Sequence, residues 1–227
     1  MLEILAFTWK ELLNPEFYIN NGGLWLVLFI VFAETGLFAG FFLPGDSLLF
    51  VAGIYSNELA AYLFNTGYDF SNLMLIVTLV TIAGVLGNYV GYWFGFKSGP
   101  YLFDRKDSFF FRKKYLYQAK DFYEKHGGGA IVFARFLPII RTFAPIIAGI
   151  VGMDKKKFAF YNLAGCIAWA FSMLLAGHYL YRFFLSQFNF DLKEHLEVIV
   201  LGIVLVTTLP VIYKLVFGKR STSQKAG

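Results

Sequence analysis

The stretch FARFLPIIRTFAP, residues 133–145, places two arginines and two prolines within an otherwise apolar segment. Arginine is among the costliest side chains to place in hydrocarbon, and proline interrupts the hydrogen bonding of a continuous helix. Irregular backbone at membrane depth persists only where protein shields it or where it lines a wet cavity. In a bilayer, the stretch therefore predicts a broken helix whose Arg135 and Arg141 point into a shared protein interior.

The composition of the whole chain indicates that its solvent is a bilayer. Of its 227 residues, 58% are hydrophobic and 15% are charged, whereas soluble globular proteins carry charge on roughly a quarter of their residues. Two runs without a charged residue, 71–96 and 158–181, exceed the ~20 residues that a spanning helix requires. A shorter run at 198–213 predicts a third span, because Lys214 can snorkel. We therefore predict an all-α polytopic membrane protein.

The charges of the loops predict the orientation of the chain. The central loop 98–128, the turn at Lys155–Lys157 and the tail 218–227 are all basic, whereas residues 58–69 contain no base. The positive-inside rule then places the basic segments, and with them the C-terminus, in the cytoplasm. The net charge of +5 is explained by anionic lipid at that face, and no basic groove for nucleic acid is evident.

Two segments are predicted to enter and leave the membrane by the same face. Residues 129–153 begin after one cytoplasmic segment and end at another, so they form a re-entrant hairpin. Residues 20–60 form a similar hairpin from the opposite face. Opposed broken segments in an inverted repeat are an arrangement of many secondary transporters, and the binding site lies where the broken segments meet. The residues assigned to the breaks are Pro44, Gly45, Pro138 and Pro145.

The whole chain, residues 1–227, is predicted to form a single membrane domain. For residues 1–16, helical spacing of the leucines predicts an amphipathic helix in the interface, and a soluble helix packed on the protein is the alternative. The predicted order is an interfacial helix at 1–16, a first hairpin at 20–60, a transmembrane helix at 71–97, a cytoplasmic loop at 98–128, a second hairpin at 129–153, transmembrane helices at 158–182 and 197–217, and a basic tail at 218–227.

Four charged residues inside the two hairpins form the candidate site. Arg135 and Arg141 offer planar forks of donors that match the oxygens of a phosphate. Glu34 and Asp46 cancel their charge, so that an arriving phosphate would compete with carboxylates for the arginines. Protonation of a carboxylate would weaken that competition, which makes either acid a candidate proton carrier. The structural alternative is that buried ion pairs only hold the hairpins together.

In the order and spacing of these residues, the chain resembles the DedA family, also called SNARE-associated or VTT-domain membrane proteins. The resemblance covers residues 20–185. It rests on Glu34, Pro44-Gly45-Asp46, the glycine-rich span at 87–95 with Asn88, the segment 133–138, Arg141, Asn162 and Trp169. The resemblance implies a lipid translocase of the bacterial cytoplasmic membrane. It also implies that Glu34, Asp46, Arg135 and Arg141 are the functional residues.

The family resemblance implies a flippase for undecaprenyl phosphate, a lipid carrier of the cell envelope. Its transport is predicted to be coupled to protons or to sodium. A phosphatidylethanolamine flippase or scramblase is the alternative within the same class. A proton-conducting or structural membrane protein is the alternative of another class. Monomer and homo-oligomer remain open. Asn88, Asn162 and Trp169 are predicted to serve packing or interhelical hydrogen bonds.

An enzyme is not expected, and neither a cofactor nor a metal is predicted. Residues 45–48, Gly-Asp-Ser-Leu, spell the nucleophile motif of GDSL hydrolases. That motif requires a histidine within reach, but Asp191 and His195 stand one residue too far apart for its usual pattern. Cys166 stands alone and the histidines show no ligand spacing, so a metal site is not indicated.

Overall fold

The computed structural model describes residues 15–37, 45–64, 66–104, 113–189, 191–195 and 202. Within these ranges every regular element is helical, which confirms the predicted all-α class. The elements are α1 (Pro15–Gly36), α2 (Gly45–Ile54), α3 (Ser56–Ala60), α4 (Asp69–Asp104), α5 (Lys113–His126), α6 (Gly129–Ala134), α7 (Pro138–Ile150), α8 (Lys155–Phe188) and a 3₁₀ helix (Leu192–His195).

Several predicted segments lie outside the described residues. They are most of the helix at 1–16, Pro44, residues 105–112 of the central loop, the helix at 197–217 apart from Gly202, and the tail at 218–227. The expectations for these segments therefore stay predictions.

Helices α4 and α8 are the two described helices long and apolar enough to cross a membrane. They contain 36 and 34 residues, which corresponds to about 54 and 51 Å at 1.5 Å per residue. Both are longer than the predicted spans at 71–97 and 158–182. The difference arises because an apolar run marks only the part of a helix in hydrocarbon, and each helix continues beyond that run. At the start of α8, Asp154 caps the helix by accepting from the backbone N–H groups of Lys156 and Lys157.

Three of the helices beside the predicted breaks are short, whereas α1 has 22 residues. Helices α2, α6 and α7 contain 10, 6 and 13 residues, or about 15, 9 and 20 Å. Each is shorter than the ~30 Å hydrocarbon core of a bilayer. Between α6 and α7 the chain turns at residues 135–137, and Pro138 then occupies the first turn of α7, where its missing N–H has no helical partner to lose.

Pro145 does not break the second hairpin, contrary to the prediction. It lies inside α7, which continues to Ile150. Proline offers no amide hydrogen to the carbonyl of Arg141, one turn earlier, but a single missing bond is tolerated in a helix that neighbouring helices support. That support is present, since Ala144 and Ala148 on either side of Pro145 are buried.

Glycines bring the long helices close to the short ones. Helix α4 packs along α7 and α1, and α8 packs along α2 and α6. A Cβ atom added at Gly99 of α4 would lie 2.7 Å from the carbonyl oxygen of Ile150, and one at Gly53 of α2 would lie 3.0 Å from Cα of Leu174. Small residues permit such backbone approaches, which provide van der Waals contact between helices in a membrane.

The apolar core and the apolar surface both fit a bilayer solvent. The core joins α1, α2, α4 and α8, and its fully buried side chains include Leu24, Val27, Leu48, Leu73, Ile76 and Leu174. Large apolar side chains also cover the outside: Trp25 is 63% exposed and Phe133 is 77% exposed. Water-soluble monomers rarely expose contiguous apolar surface of this kind, so these side chains are suited to face lipid.

Candidate functional site

Arg141 joins three helices through two ion pairs. Its Nη1 donates to Asp46 Oδ1 on α2, and its Nη2 donates to Glu34 Oε1 on α1. Arg141 is 7% exposed and Glu34 is 2% exposed, so the Arg141–Glu34 pair is shielded from solvent. The structure therefore brings three of the four predicted charged residues into direct contact.

A glycine makes room for one of these carboxylates. A Cβ atom at Gly45, the first residue of α2, would collide with the carboxylate of Glu34. The next residue, Asp46, lies in the first turn of α2, where a negative charge interacts favourably with the helix dipole. Gly45 therefore leaves space for the carboxylate of Glu34, and Asp46 brings a second carboxylate to the same place.

Arg135 lies at the end of α6 and has a different environment. It is 4% exposed, and it forms no ion pair with any carboxylate of the described residues. Its Nη1 donates to Asn162 Oδ1 over 3.4 Å. Its Nε and Nη2 are buried and have no hydrogen-bond partner among the described residues. Because a buried charge without partners is costly, this guanidinium is suited to receive an anionic ligand.

The indole of Trp169, on α8, contacts both arginines. Its ring centre lies 5.1 Å from Cζ of Arg135 and 5.0 Å from Cζ of Arg141. Its Nε1 donates to Asp46 Oδ1 over 2.8 Å. Cation–π attraction is strongest where water is excluded, and Trp169 is 1% exposed. The predicted supporting residue therefore links both arginines to one carboxylate.

The two predicted asparagines connect α4 and α8 beside Arg135. Asn88 Nδ2 donates to Asn162 Oδ1 over 2.5 Å, and Asn162 Nδ2 donates to the carbonyl of Val85 over 3.3 Å. Reversal of the Asn88 amide would direct its oxygen toward Arg135 Nη1 and its nitrogen toward the carbonyl of Thr35, 3.1 Å away. The amides thus form interhelical hydrogen bonds and also contact the guanidinium.

Residues 43–179 match the VTT domain, a range that contains every charged residue of the site except Glu34. This chain belongs to the VTT-domain, or DedA, family. It is 38% identical to Protein DedA of Escherichia coli (strain K12) over 211 residues, 90% of this chain and 88% of the relative. It is 34% identical to the uncharacterized membrane protein ML0287 of Mycobacterium leprae (strain TN), which covers 94% of this chain and 91% of the relative.

A third DedA-family relative is the inner membrane protein YqjA of Escherichia coli (strain K12). It is 31% identical over 185 residues, 79% of this chain and 78% of the relative. No solved structure matches the chain. The family membership, the apolar surface and the two long apolar helices together establish a membrane protein.

Sequence reasoning missed a second polar cluster in this DedA-family chain. Ser56 Oγ lies 3.0 Å from His178 Nδ1, and His178 Nε2 lies 2.9 Å from Asp69 Oδ2. Arg182 Nη1 pairs with the same Asp69 oxygen over 2.7 Å, and Asn57 Nδ2 donates to Asp69 Oδ1 over 2.6 Å. One signal was available, because His178 interrupts an apolar run, and polar groups within spans form hydrogen bonds with neighbouring helices.

The second cluster has the hydrogen-bond order of a Ser–His–Asp triad, but Ser56 is fully buried. A nucleophile must reach its substrate, so this arrangement is suited to holding α3, α4 and α8 together.

Among the described residues, no group of three or more His, Cys, Asp or Glu is placed to hold a metal ion. The guanidinium groups of Arg135 and Arg141 are chemically suited to bind anions and to exchange ion-pair partners.

Proposed function

We propose that this protein moves a lipid phosphate, undecaprenyl phosphate in the first instance, across the bacterial cytoplasmic membrane. One observation supports the proposal most strongly: Arg135 is a buried cation whose Nε and Nη2 lack a partner among the described residues. These two atoms form one edge of the guanidinium, and such an edge can bind two phosphate oxygens at once. The apolar surface around the site suits a ligand whose tail remains in lipid.

Arg141 would take part by exchanging partners. In the described arrangement its two terminal nitrogens are occupied by Glu34 and Asp46. Both guanidinium groups contact the ring of Trp169, and in this proposal a phosphate bound at Arg135 competes with the carboxylates for Arg141. In this proposal, release of one carboxylate from Arg141 accompanies binding of the phosphate.

Charge balance supports coupling to an ion. The two arginines and two acids have formal charges that sum to zero, whereas a phosphate monoester carries about −1.5 to −2 at pH 7. Uptake of a proton by Glu34 or Asp46 would offset part of that excess negative charge. Glu34 is the stronger candidate, since its Oε2 is buried without a partner among the described residues. Sodium uptake would have the same electrostatic effect.

The route across the membrane follows from the short helices. We propose that α2 and its neighbours form one re-entrant hairpin, that α6 and α7 form the other, and that the two are related as an inverted repeat. The packing of α4 on α7 and of α8 on α2 supports this pairing of halves. Movement would expose Arg135 alternately to either face, with the C-terminus in the cytoplasm. No bond is made or broken, and neither a nucleic acid nor a cofactor takes part.

The test is transport in liposomes. Protein is reconstituted with fluorescent undecaprenyl phosphate in one leaflet, and its arrival in the other leaflet is followed with and without a pH or sodium gradient. We expect faster transfer than in empty liposomes, and loss of that acceleration in an Arg135→Ala/Arg141→Ala variant. Lys120→Gln, which removes one exposed charge outside the site, is the matched control.

The outcomes separate the alternatives. Transfer of phosphatidylethanolamine but not of undecaprenyl phosphate would assign a phospholipid substrate, and transfer indifferent to any gradient would assign scrambling. An absence of lipid transfer from folded protein would reject translocation. In that case the three helices joined by Arg141 would favour a structural role, and proton flux in the same liposomes would test for conduction. Light scattering would determine whether the active species is a monomer or a homo-oligomer.

A further inference from the structure

An aromatic groove lies between α4 and α8, away from the central site. Its cavity measures about 210 Å³. The lining residues are Tyr89, Tyr92, Trp93, Phe96, Lys155 and Phe158. None of these residues takes part in the contacts of Arg135 or Arg141 described above, so the groove is a separate feature of the surface.

The groove has packed aromatic rings at its base and an exposed aromatic ring on one side. Tyr92 stacks on Phe158 with ring centres 4.3 Å apart, and Tyr89 meets Phe158 edge-on at 5.7 Å. The hydroxyl of Tyr92 donates to the carbonyl of Met153 over 2.5 Å, which fixes the ring against the turn before α8. Trp93, by contrast, is 59% exposed. The rings of Tyr92 and Phe158 are therefore held in place at the base of the groove, while the ring of Trp93 is exposed on its side.

One lysine lines the groove, and a second, from the other helix, lies beside its wall. Lys155 Nζ lies 5.1 Å from the ring centre of Phe96, and Lys97 Nζ lies 5.9 Å from that of Trp93. Both side chains are exposed, and neither forms an ion pair with a described residue. Two cations beside an open apolar wall complement a ligand that has an anionic head and an apolar tail.

The position of the groove along the helices corresponds to headgroup depth. Gly84 and Gly165 flank Arg135, since added Cβ atoms there would lie 2.9 Å from its Nη2 and 3.6 Å from its Cδ. At 1.5 Å per residue, Phe96 lies about 18 Å along α4 from Gly84, and Lys155 lies about 15 Å along α8 from Gly165. Half of a bilayer hydrocarbon core is about 15 Å. An Arg135 near the membrane centre therefore places the two lysines at the membrane surface.

We propose that this groove binds one anionic phospholipid of the adjacent leaflet. Its phosphate lies between Lys97 and Lys155, and one acyl chain lies along Tyr89 and Trp93. The basic tail at 218–227 is a poor alternative occupant, because it carries lysine and arginine and no acid. The site does not depend on the transport activity proposed above, since it uses neither Arg135 nor Arg141.

The test measures lipid binding directly by native mass spectrometry. Delipidated full-length protein is titrated with phosphatidylglycerol and, separately, with phosphatidylcholine. A lysine near an anionic lipid surface contributes about a fivefold gain in affinity, so Lys97→Gln/Lys155→Gln should weaken binding of the first phosphatidylglycerol about thirtyfold. The matched control is Lys156→Gln/Lys157→Gln, which removes the same charge from the same region without touching the groove, and it should bind like the unaltered protein.

A second measurement identifies the occupant. With p-benzoylphenylalanine in place of Trp93, irradiation in phosphatidylglycerol liposomes should add the mass of one lipid to the protein. Cross-linking within the chain or between two copies, in place of a lipid adduct, would overturn the proposal. Equal weakening by the two double variants, or equal affinity for the two lipids, would also overturn it. Retention of groove binding in an Arg135→Lys variant, which should lose transport without loss of stability, would separate this site from the transport site.

Discussion

The two arginines of the site lie against the same tryptophan ring and yet have opposite surroundings. Arg141 donates to carboxylates on two other helices and has one buried donor, Nε, without a described partner. Arg135 has one amide contact and two such donors. The pairing of Arg141 is typical of a structural link. Buried donors without a described partner, as in Arg135, are typical of a binding group. Two equal charges in one site therefore differ in their pairing: Arg141 joins helices, and Arg135 keeps donors that the proposed ligand could use.

The difference also bears on the stability of the empty site. Two carboxylates around one arginine leave a local excess of negative charge, and Arg135, which lies against the same Trp169 ring, compensates it. Arg135 thus attracts the two carboxylates at long range, although its own Nε and Nη2 form no hydrogen bond with a described residue. Substitution of Arg141 and of Arg135 should therefore affect stability and transport to different extents, and four substitutions test this difference.

Arg141→Ala should have the largest effect on stability. It leaves Glu34 and Asp46 buried without their cation, and loss of one partner of a buried pair costs about 3–5 kcal/mol. Thermal unfolding in detergent should show a strongly lowered Tm. The variant Arg141→Met/Glu34→Gln, which leaves Asp46 and Arg135 as a balanced pair of charges, should recover part of the loss. An unchanged Tm for Arg141→Ala would remove the structural role assigned to this residue.

Arg135→Lys should separate binding from stability. Lysine keeps the charge but loses the planar fork, and a hydrogen bond to a charged group contributes about 1.5–3 kcal/mol, so we expect transport to fall about 10- to 100-fold. The Tm should stay close to that of the unaltered protein, because Arg135 has no carboxylate partner among the described residues. The control is Arg182→Lys, an arginine that is paired with Asp69 outside the site. Full transport by Arg135→Lys would favour a simple charge effect.

Trp169→Phe should weaken the link between the two arginines. The phenyl ring preserves an aromatic face but removes the N–H that donates to Asp46, at a cost of about 1.5 kcal/mol. A modest fall in Tm is the expected result. In the Asp46→Asn background the same substitution should cost less, because the lost hydrogen bond no longer involves a charge. Equal costs in both backgrounds would contradict the contact.

Gly84→Ala should have the smallest effect on stability and still alter function. The added methyl would lie 2.9 Å from Arg135 Nη2, the end of a flexible side chain that can shift. We expect an unfolding free energy within about 1 kcal/mol of the unaltered protein and a measurable fall in transport. Gly129→Ala, where an added Cβ would meet nothing within 4 Å, should change neither quantity.

Part of this arrangement was predictable from local sequence. Charged residues in an apolar segment must find partners away from lipid, so the positions of Glu34, Asp46 and the arginines in two broken segments predict that they meet. The break before Pro138 also follows from local chemistry. These predictions needed no knowledge of distant contacts.

The remaining features depend on tertiary packing. The sequence does not indicate which arginine takes the carboxylates, because that depends on where α6 ends relative to α7. Asp69 and His178 are 109 residues apart, and no local pattern connects them. Pro145 was expected to break a helix, but packing of α7 on α4 overrides the local preference. The contacts between residues far apart in the sequence are therefore known only from the structure.

The glycines of α4 bear on how α7 could move. Gly91, Gly95 and Gly99 recur every four residues, and all three face α7, where Ile146 lies against Gly91 and Gly95 and Ile150 lies against Gly99. A contact surface with this period has nearly equivalent positions one helical turn, about 5.4 Å, apart. A slide of α7 by one turn would carry Ile146 against the next glycine of the series. The step would carry Arg141 by the same distance along the axis of α7.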